Sequence, residues 1–347
     1  MKRSNTFANF KEFIDRFAAG ERDFSKMYFK EEKEEIIRPN VIQMHILPFQ
    51  LRDRDLSQII LDHSSLRRVN FQNANLADAS LINSICRKAD FRKANLSRTN
   101  FTNAGLVGAK FNRTNLKQVN LNNAHLIDTQ FIQASLFECS LESAIFHGNK
   151  YGRQLYEEYK YLYTCHQANF TLAQLYNCNL FKAQMAYGNF SLASLRYSDL
   201  TQADLTQTNF AGADLKGAKL DEVEVSSANL RGAKIDSNIS NQKLLLVWEI
   251  VNQGATHRDL SGVDLSNTDL SNSDLSNVNL SGANLKGANL SRTNLENANL
   301  SGVNLQQATF RDANLQGVQL EGANLAETEL DYINLEILMS HFQLKSI

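Results

Sequence analysis

The sequence predicts an all-β solenoid of square cross-section running through most of its 347 residues. Three observations predict it. A Leu or Phe recurs every fifth residue in three long arrays, a small residue stands two places before each of these centres, and only 2 prolines interrupt the chain. From Leu56 to Phe146 there are 19 centres, of which only Cys86 is neither Leu nor Phe. From Phe170 to Ile235 there are 14, with Met185, Val225 and Ile235 as conservative exceptions, and from Leu260 to Leu335 all 16 are Leu or Phe. The small position reads Ala74, Ala79, Ser84, Ala89 and Ala94 in the first array and Val263, Thr268, Ser273, Val278 and Ala283 in the third.

A period of five matches neither the 3.6 residues of an α-helix nor the two of a strand. It also rules out coiled-coil heptads. It does fit a chain that turns a corner every five residues. Four corners then close a coil of about 20 residues, and coils stack at the ~4.8 Å spacing of paired strands. The centre and the small residue two before it both point inwards, where a larger side chain would overpack the coil. Burying one Leu or Phe contributes roughly 1.5–3 kcal/mol, and repetition of that term offsets the ordering entropy of a narrow rod.

Units such as Ala283-Asn284-Leu285-Lys286-Gly287 and Ala288-Asn289-Leu290-Ser291-Arg292 resemble the A(D/N)LXX motif of the pentapeptide-repeat family. The resemblance covers most of residues 56–335. It implies a right-handed quadrilateral β-helix, a solid rod without a pore, carrying short α-helical caps and insertions. About 12 coils would make a rod near 60 Å long if they stack without interruption.

The segments divide as follows. Residues 1–50 read as an N-terminal helix and a degenerate capping coil. Phe7, Phe10, Phe13, Ile14 and Phe17 have helical spacing, with Ser4 or Thr6 as N-cap and Gly20 as the stop. Ile36, Val41, Ile46 and Leu51 share the phase of the first array. Gly20-Glu21-Arg22-Asp23-Phe24 resembles the lead-in of cyanobacterial pentapeptide-repeat proteins. The first array occupies 51–146 and the second 168–235. Between them, 147–167 reads as a helical insertion, with Tyr151, Leu155, Tyr159 and Leu162 at helical spacing. The gap from Phe146 to Phe170 is 24 residues, not a multiple of five, so the register must shift there. Residues 236–257 read as a second helical insertion or cap. There Leu244, Val247, Trp248 and Val251 share one face, and the 25-residue gap keeps the phase. The stretch from Trp248 to Gly254, followed by Asp259-Leu260-Ser261-Gly262, resembles a common opening of cyanobacterial pentapeptide-repeat domains. The third array fills 258–335, and 336–347 leaves the pattern as a C-terminal cap. Some family members dimerise through that end, so the resemblance implies a possible homodimer there.

Catalytic chemistry is hard to find. The phase places Cys86 and Cys165 at centres and Cys139 and Cys178 at the small inward position, so all four are expected as buried thiols. Four cysteines without paired spacing fit a reducing, cytoplasmic setting, as does a start that lacks a signal peptide's apolar stretch. No apolar run approaches the length of a membrane span. The 7 histidines are scattered; His147 and His166 flank the first insertion together with Cys165, a weak metal signal. Asp264, Asp269 and Asp274 precede centres and belong to a repeated turn environment. The expectation is no enzyme, no cofactor and no metal.

Charge is the better lead. Net charge is −1, but residues 51–146 carry 12 basic and 8 acidic residues while 259–347 carry 4 and 11. Residues 20 apart stack, so Arg67 should lie below Arg87, Arg68 below Lys88, and Lys93 below Arg113 on the next face. Nearby Asp62, Asp78 and Asp90 dilute this basic patch. Tyr156 and Tyr159 of the first insertion are further candidate partner anchors, because Tyr is enriched in hot spots. The reading is a non-enzymatic scaffold or regulator that binds another protein. The resemblance points especially to cyanobacterial members that influence heterocyst differentiation. The alternative is a DNA mimic that binds a type II topoisomerase (gyrase), as other family members do, but net −1 and a basic first array argue against it. Direct nucleic-acid binding is disfavoured, because the basic face lacks interleaved aromatics.

Overall fold

A computed structural model describes residues 6–7, 10–24, 28–29, 50–146 and 168–330. Its main body is a right-handed quadrilateral β-helix. Parallel bridges join residues 20 apart, from Gln50↔Asn70 through His125↔Ile145, so five residues make one side and four sides one coil. Nearly every centre and small residue two before it is buried, with half-buried exceptions such as Ala218, Val263, Leu325 and Leu330, while the residue between them faces outwards.

The corner explains the period. At most corners the centre carbonyl accepts a hydrogen bond from the N–H three residues on, as in Ala74 N–H to Phe71 O at 3.0 Å. The second residue after the centre has positive φ, for example Asn73 at 57° and Lys88 at 56°. That combination is a type II turn, which needs a left-handed residue at its third position. Asn, Asp and Gly accept it readily, yet Arg, Gln, Tyr and Leu also stand there. No described corner puts a β-branched residue in this position, where the Cβ would crowd the following carbonyl.

The interior is layered by residue type. Phe71, Phe91, Phe111, Phe131, Phe170, Phe190 and Phe210 form one ladder along the rod, with successive ring centroids 4.3 to 5.5 Å apart. Most buried hydroxyls at the small position are satisfied, Ser273 Oγ being an exception. Thr99, Thr114, Thr129, Ser198, Thr208 and Thr293 each donate to the carbonyl of the centre 23 residues earlier. A Ser or Thr therefore fits where Ala does, because the coil below offers a carbonyl.

The Phe ladder crosses the first insertion. Gln130 pairs with Asn169 and Ile145 with Gln184, a separation of 39 instead of 20. The register shift expected from sequence is thus one of numbering only: 19 extra residues leave the coil at a corner, and stacking continues as if they were absent. The expected helix over 151–163, with Tyr156 and Tyr159, lies outside the described residues.

At the N-terminal end, α1 (Phe10–Ala18) packs its Phe13 ring against Phe24 at 4.8 Å. Gly20 ends the helix with φ 94°, its N–H bonding Phe17 O at 3.0 Å while Glu21 N–H bonds Arg16 O at 3.1 Å. This is the paired bonding of a Schellman stop. The expected N-cap at Thr6 is corrected: Thr6–Phe7 is a two-residue strand, β1, paired in parallel with β2 (Tyr28–Phe29). The degenerate coil also needs correction. Asp23 bridges Ile60, and Phe24 N–H bonds Ile60 O at 2.7 Å. Phe24 therefore fills the slot beneath Leu61 that the five-residue phase assigns to Val41. An aromatic ring from the lead-in caps the first coil. Ile36, Val41 and Ile46 themselves lie outside the described residues.

The second insertion contains α2 (Gln242–Gln253), capped by the Asn241 side chain on Leu244 N–H and ended at Gly254. Its buried face is Leu244, Val247 and Ile250. The Trp248 indole N–H bonds Ala233 O at 2.7 Å, fixing the helix on the last coil of the second array. The third array resumes at Ala255, whose N–H bonds Asp274 O. Ser227 N–H reaches Asn267 O at 2.6 Å and Arg231 reaches Asp269 at 3.4 Å. These partners are about two coils apart in sequence yet touch directly, so α2 replaces one coil of sequence without adding a layer on this side. The C-terminal segment from 331 lies outside the described residues.

Two cysteines behave otherwise than expected. Cys86 is a fully buried thiol, and burial pushes its pKa up to about 12. Cys139 and Cys178, expected as separate thiols, form a disulfide, with Cα atoms 4.7 Å apart. They are 39 residues apart, which across the insertion is one coil, so stacking alone brings them together. Cys165 lies outside the described residues.

Candidate protein-binding surfaces

The two residues after each centre project at the corners, and those 20 apart line up in columns. Ser65 pairs with Ile85, which sets Arg67 beneath Arg87 and Arg68 beneath Lys88. Asn95 pairs with Asn115, which sets Lys93 beneath Arg113 at the neighbouring corner. Arg67, Arg68, Lys88, Lys93 and Arg113 are exposed and Arg87 half-buried. Among the described residues no ion pair holds Arg67, Arg68, Lys93 or Arg113, although Arg113 Nε donates to Gln133 at 2.9 Å.

The acids expected to dilute this patch are engaged elsewhere. Asp78 is gripped by Arg98 at 2.6 Å, and that hydrogen bond holds its pKa below the usual value. Asp90 is bound by Arg92 at 2.6 Å and by Gln72 at 2.7 Å. Burial alone would raise the Asp90 pKa, but these bonds lower it. Asp62 accepts from Ser80 Oγ and Ile82 N–H. A cation missed from sequence, the exposed Lys110, stands above Asp90 on the side joining the two basic corners. Its place just before the centre Phe111 marks it as outward-facing, a signal already present in the phase.

A second surface was also missed. Phe137, Tyr176 and Tyr197 form an exposed column at one corner, with ring centroids 5.9 and 5.3 Å apart. Leu172 and Leu192 stand exposed at the adjacent corner. The 19 extra residues hide this column in the sequence, because Phe137 and Tyr176 are neighbours only when the insertion is removed.

The acidic third array uses its carboxylates internally. Asp259, Asp264, Asp269 and Asp274 each accept the N–H two residues on and the side-chain amide of the Asn one coil above. The repeated turn environment expected for Asp264, Asp269 and Asp274 is observed. Among the described residues no group of three or more His, Cys, Asp or Glu is placed to hold a metal ion, and no helix is long and apolar enough to cross a membrane.

Fold and surface together define a solid solenoid whose interior is filled and whose outer columns carry the recognisable chemistry. The model for pentapeptide repeats matches residues 50–85, 86–118, 114–148, 198–235, 259–297 and 288–326, and the chain belongs to that family. No curated protein sequence matches it. Among solved structures it is similar to HetL, a pentapeptide repeat protein involved in heterocyst differentiation regulation in the cyanobacterium Nostoc sp. strain PCC 7120, at 20% identity over 93% of this chain and 95% of that one, TM-score 0.24. It is also similar to QnrB1, a plasmid-mediated fluoroquinolone resistance protein, at 19% identity over 57% of this chain and 94% of that one, TM-score 0.38. A third is the pentapeptide repeat protein Rfr23 from the cyanobacterium Cyanothece 51142, at 26% identity over 46% and 91%, TM-score 0.16.

Proposed function

We propose that this protein is a non-enzymatic scaffold or regulator that binds an acidic surface of another protein through the basic corners of its first array. The observation that carries the reading is the column of Arg67, Arg68, Arg87 and Lys88, backed by Lys93, Lys110 and Arg113, with the nearby carboxylates already committed to other partners. A rod fixed by stacked coils presents these charges at set spacings, so little side-chain and backbone freedom is lost on binding. Tyr156 and Tyr159 remain further candidate anchors. A role in cyanobacterial cell differentiation is the pathway this reading favours, and HetL, at 20% identity, is the relative that prompts it. The Cys139–Cys178 disulfide removes the cysteine argument for a cytoplasmic, reducing setting. The test is capture from native lysate with the parent and with Arg67, Arg68, Arg87 and Lys88 all changed to Glu. Loss of the same partner from the variant supports the corner, and undiminished recovery rejects it.

A second reading, a DNA-mimicking modulator of a type II topoisomerase, is favoured by the acidic stretch 259–347. Absence of effect on gyrase supercoiling at micromolar protein would retire it.

A further inference from the structure

The two turns that end at Cys139 and Cys178 are bonded differently from their neighbours. At every other described corner from Leu56 to Leu215, the N–H three residues past the centre bonds the centre carbonyl. Cys178 N–H instead donates to Ser198 Oγ at 3.0 Å, and that hydroxyl donates to Leu175 O at 2.5 Å. Ser198 is thus spliced into the turn that Cys178 N–H and Leu175 O would otherwise close. Cys139 N–H has no acceptor among the described residues. Leu136 O has Cys178 Sγ at 2.6 Å and no N–H or O–H donor among the described residues. Sulfur in a disulfide carries no proton, so both groups are left without a hydrogen bond. The turn dihedrals are nevertheless kept, with φ 55° at Glu138 and 53° at Asn177.

The dithiol state removes these deficits. Thr129 and Thr208 occupy the same inward position in other coils, and each donates to the centre carbonyl 23 residues earlier. Across the insertion the equivalent carbonyl for Cys178 is Leu136 O, 42 residues earlier, so a Cys178 thiol has its acceptor in place. Cys139 N–H and Cys178 N–H can then return to Leu136 O and Leu175 O as at other corners. The corner therefore holds a covalent bond with incomplete hydrogen bonding, or two thiols with complete hydrogen bonding. We propose that Cys139–Cys178 is a reversible redox couple, a staple across the first insertion that a cellular dithiol opens and a disulfide oxidant closes.

The chemistry is thiol–disulfide exchange. A thiolate of the reductant attacks one sulfur, and the other leaves as a thiolate that takes up a proton. The reductant's second thiol then displaces the protein from the mixed disulfide, so one protein disulfide becomes two thiols and one dithiol becomes a disulfide. Cys139 and Cys178 are only 2% and 1% exposed, and burial holds the free Cys86 thiol at a pKa of about 12. Exchange therefore requires the corner to open. A cleft of about 370 Å³, lined by Cys178 with Asn177, Tyr197, Asp199 and Lys219, gives a thiol its approach. The missing turn bonds lower the cost of opening there. Reduction leaves the coils joined by backbone bonds such as Glu138 N–H to Tyr176 O and by the Phe131–Phe170 stack. The device thus loosens the join between the first two arrays without dismantling it, and it is independent of the basic corners.

The test reads both redox states of the full chain. Millimolar dithiothreitol should reduce the pair without denaturant, and oxidised glutathione should restore it, as counted by mass after alkylation. Amide hydrogen exchange at Cys139 should slow by about tenfold or more on reduction, because its N–H regains Leu136 O. Cys139→Ala with Cys178→Ala should show the slow rate in both buffers. Ala is the usual residue at this inward position, so that variant suits the fold, and unchanged circular dichroism checks it. Ser198→Ala should shift the couple towards the dithiol by about three- to tenfold in a fixed glutathione buffer, since the bond from Cys178 N–H to this hydroxyl belongs to the oxidised state. A disulfide that resists reduction until urea unfolds the rod overturns the inference, because that bond would be a permanent one. So does a pair that oxidised glutathione never closes. Equal amide exchange in the two states, with an equilibrium that ignores Ser198→Ala, overturns it as well.

Discussion

Phe131 is the residue on which continuity of the first two arrays can be tested. Its ring lies between Phe111 at 4.8 Å and Phe170 at 4.3 Å, within 5° and 9° of parallel. Phe131→Leu keeps most of the apolar bulk but loses both ring contacts. At about 0.5–1.5 kcal/mol for each aromatic pair, the cost is about 1–3 kcal/mol. Phe131→Ala adds a cavity in a fully buried column and costs about 3–5 kcal/mol. The informative experiment is a double-mutant cycle with Phe170→Leu, read by urea unfolding. Phe131 and Phe170 stand on opposite sides of the 19-residue excursion, yet they touch. Their coupling should therefore be about 0.5–1.5 kcal/mol. If the two losses add to within about 0.3 kcal/mol with unchanged denaturant slope, the rings do not stack and the arrays are separate bodies.

Three further outcomes follow from the same geometry. Asn83 holds φ 55° at a corner; Asn83→Val should cost about 1–2 kcal/mol, while Asn83→Gly should stay within about 0.5 kcal/mol of the parent in chemical unfolding. Burial would raise the Asp264 pKa, but hydrogen bonds from Ser266 and Lys243 and the Lys243 charge lower it to about 2. Asp259 and Asp274 are lowered as well, chiefly by the backbone N–H groups of Ser261 and Ser276. Folded-state values below the unfolded ~4 mean that this stability is complete above pH ~4 and drains away as the pH falls towards 2. Asn at all three positions should keep the turns and flatten that part of the melting-temperature profile. Reduction of Cys139–Cys178 opens a loop spanning 39 residues, for which chain entropy sets a cost of up to about 4 kcal/mol. Urea midpoints with and without reductant measure it, and full labelling of both cysteines in unreduced, denatured protein would refute the bond.

The coil itself was legible from sequence because its cause is local and repeated. Each Leu or Phe centre, each small neighbour and each corner sees the same surroundings, so 45 of 49 centres carry one message. The stacking of Arg67 on Arg87 and of Arg68 on Lys88 follows from that period alone. The structure adds that Arg98 and Arg92 take Asp78 and Asp90 away from this patch, because side-chain pairing depends on rotamers and not on phase. Where the repeat stops, the reading was less complete. Phe24 displaces the expected coil because a ring from the lead-in can satisfy the open end of Leu61 as well as an in-phase aliphatic can.

What the sequence determined by itself was the square coil, its filled axis and which residues face out, since these follow from side-chain size at a fixed spacing. What only the tertiary structure decided was which distant residues meet across the first insertion: Phe131 with Phe170, Cys139 with Cys178, and Phe137 with Tyr176 and Tyr197. The reason is that backbone pairing between coils depends on neighbours in space. Residues that leave at a corner and return to it do not change that pairing, however many they are.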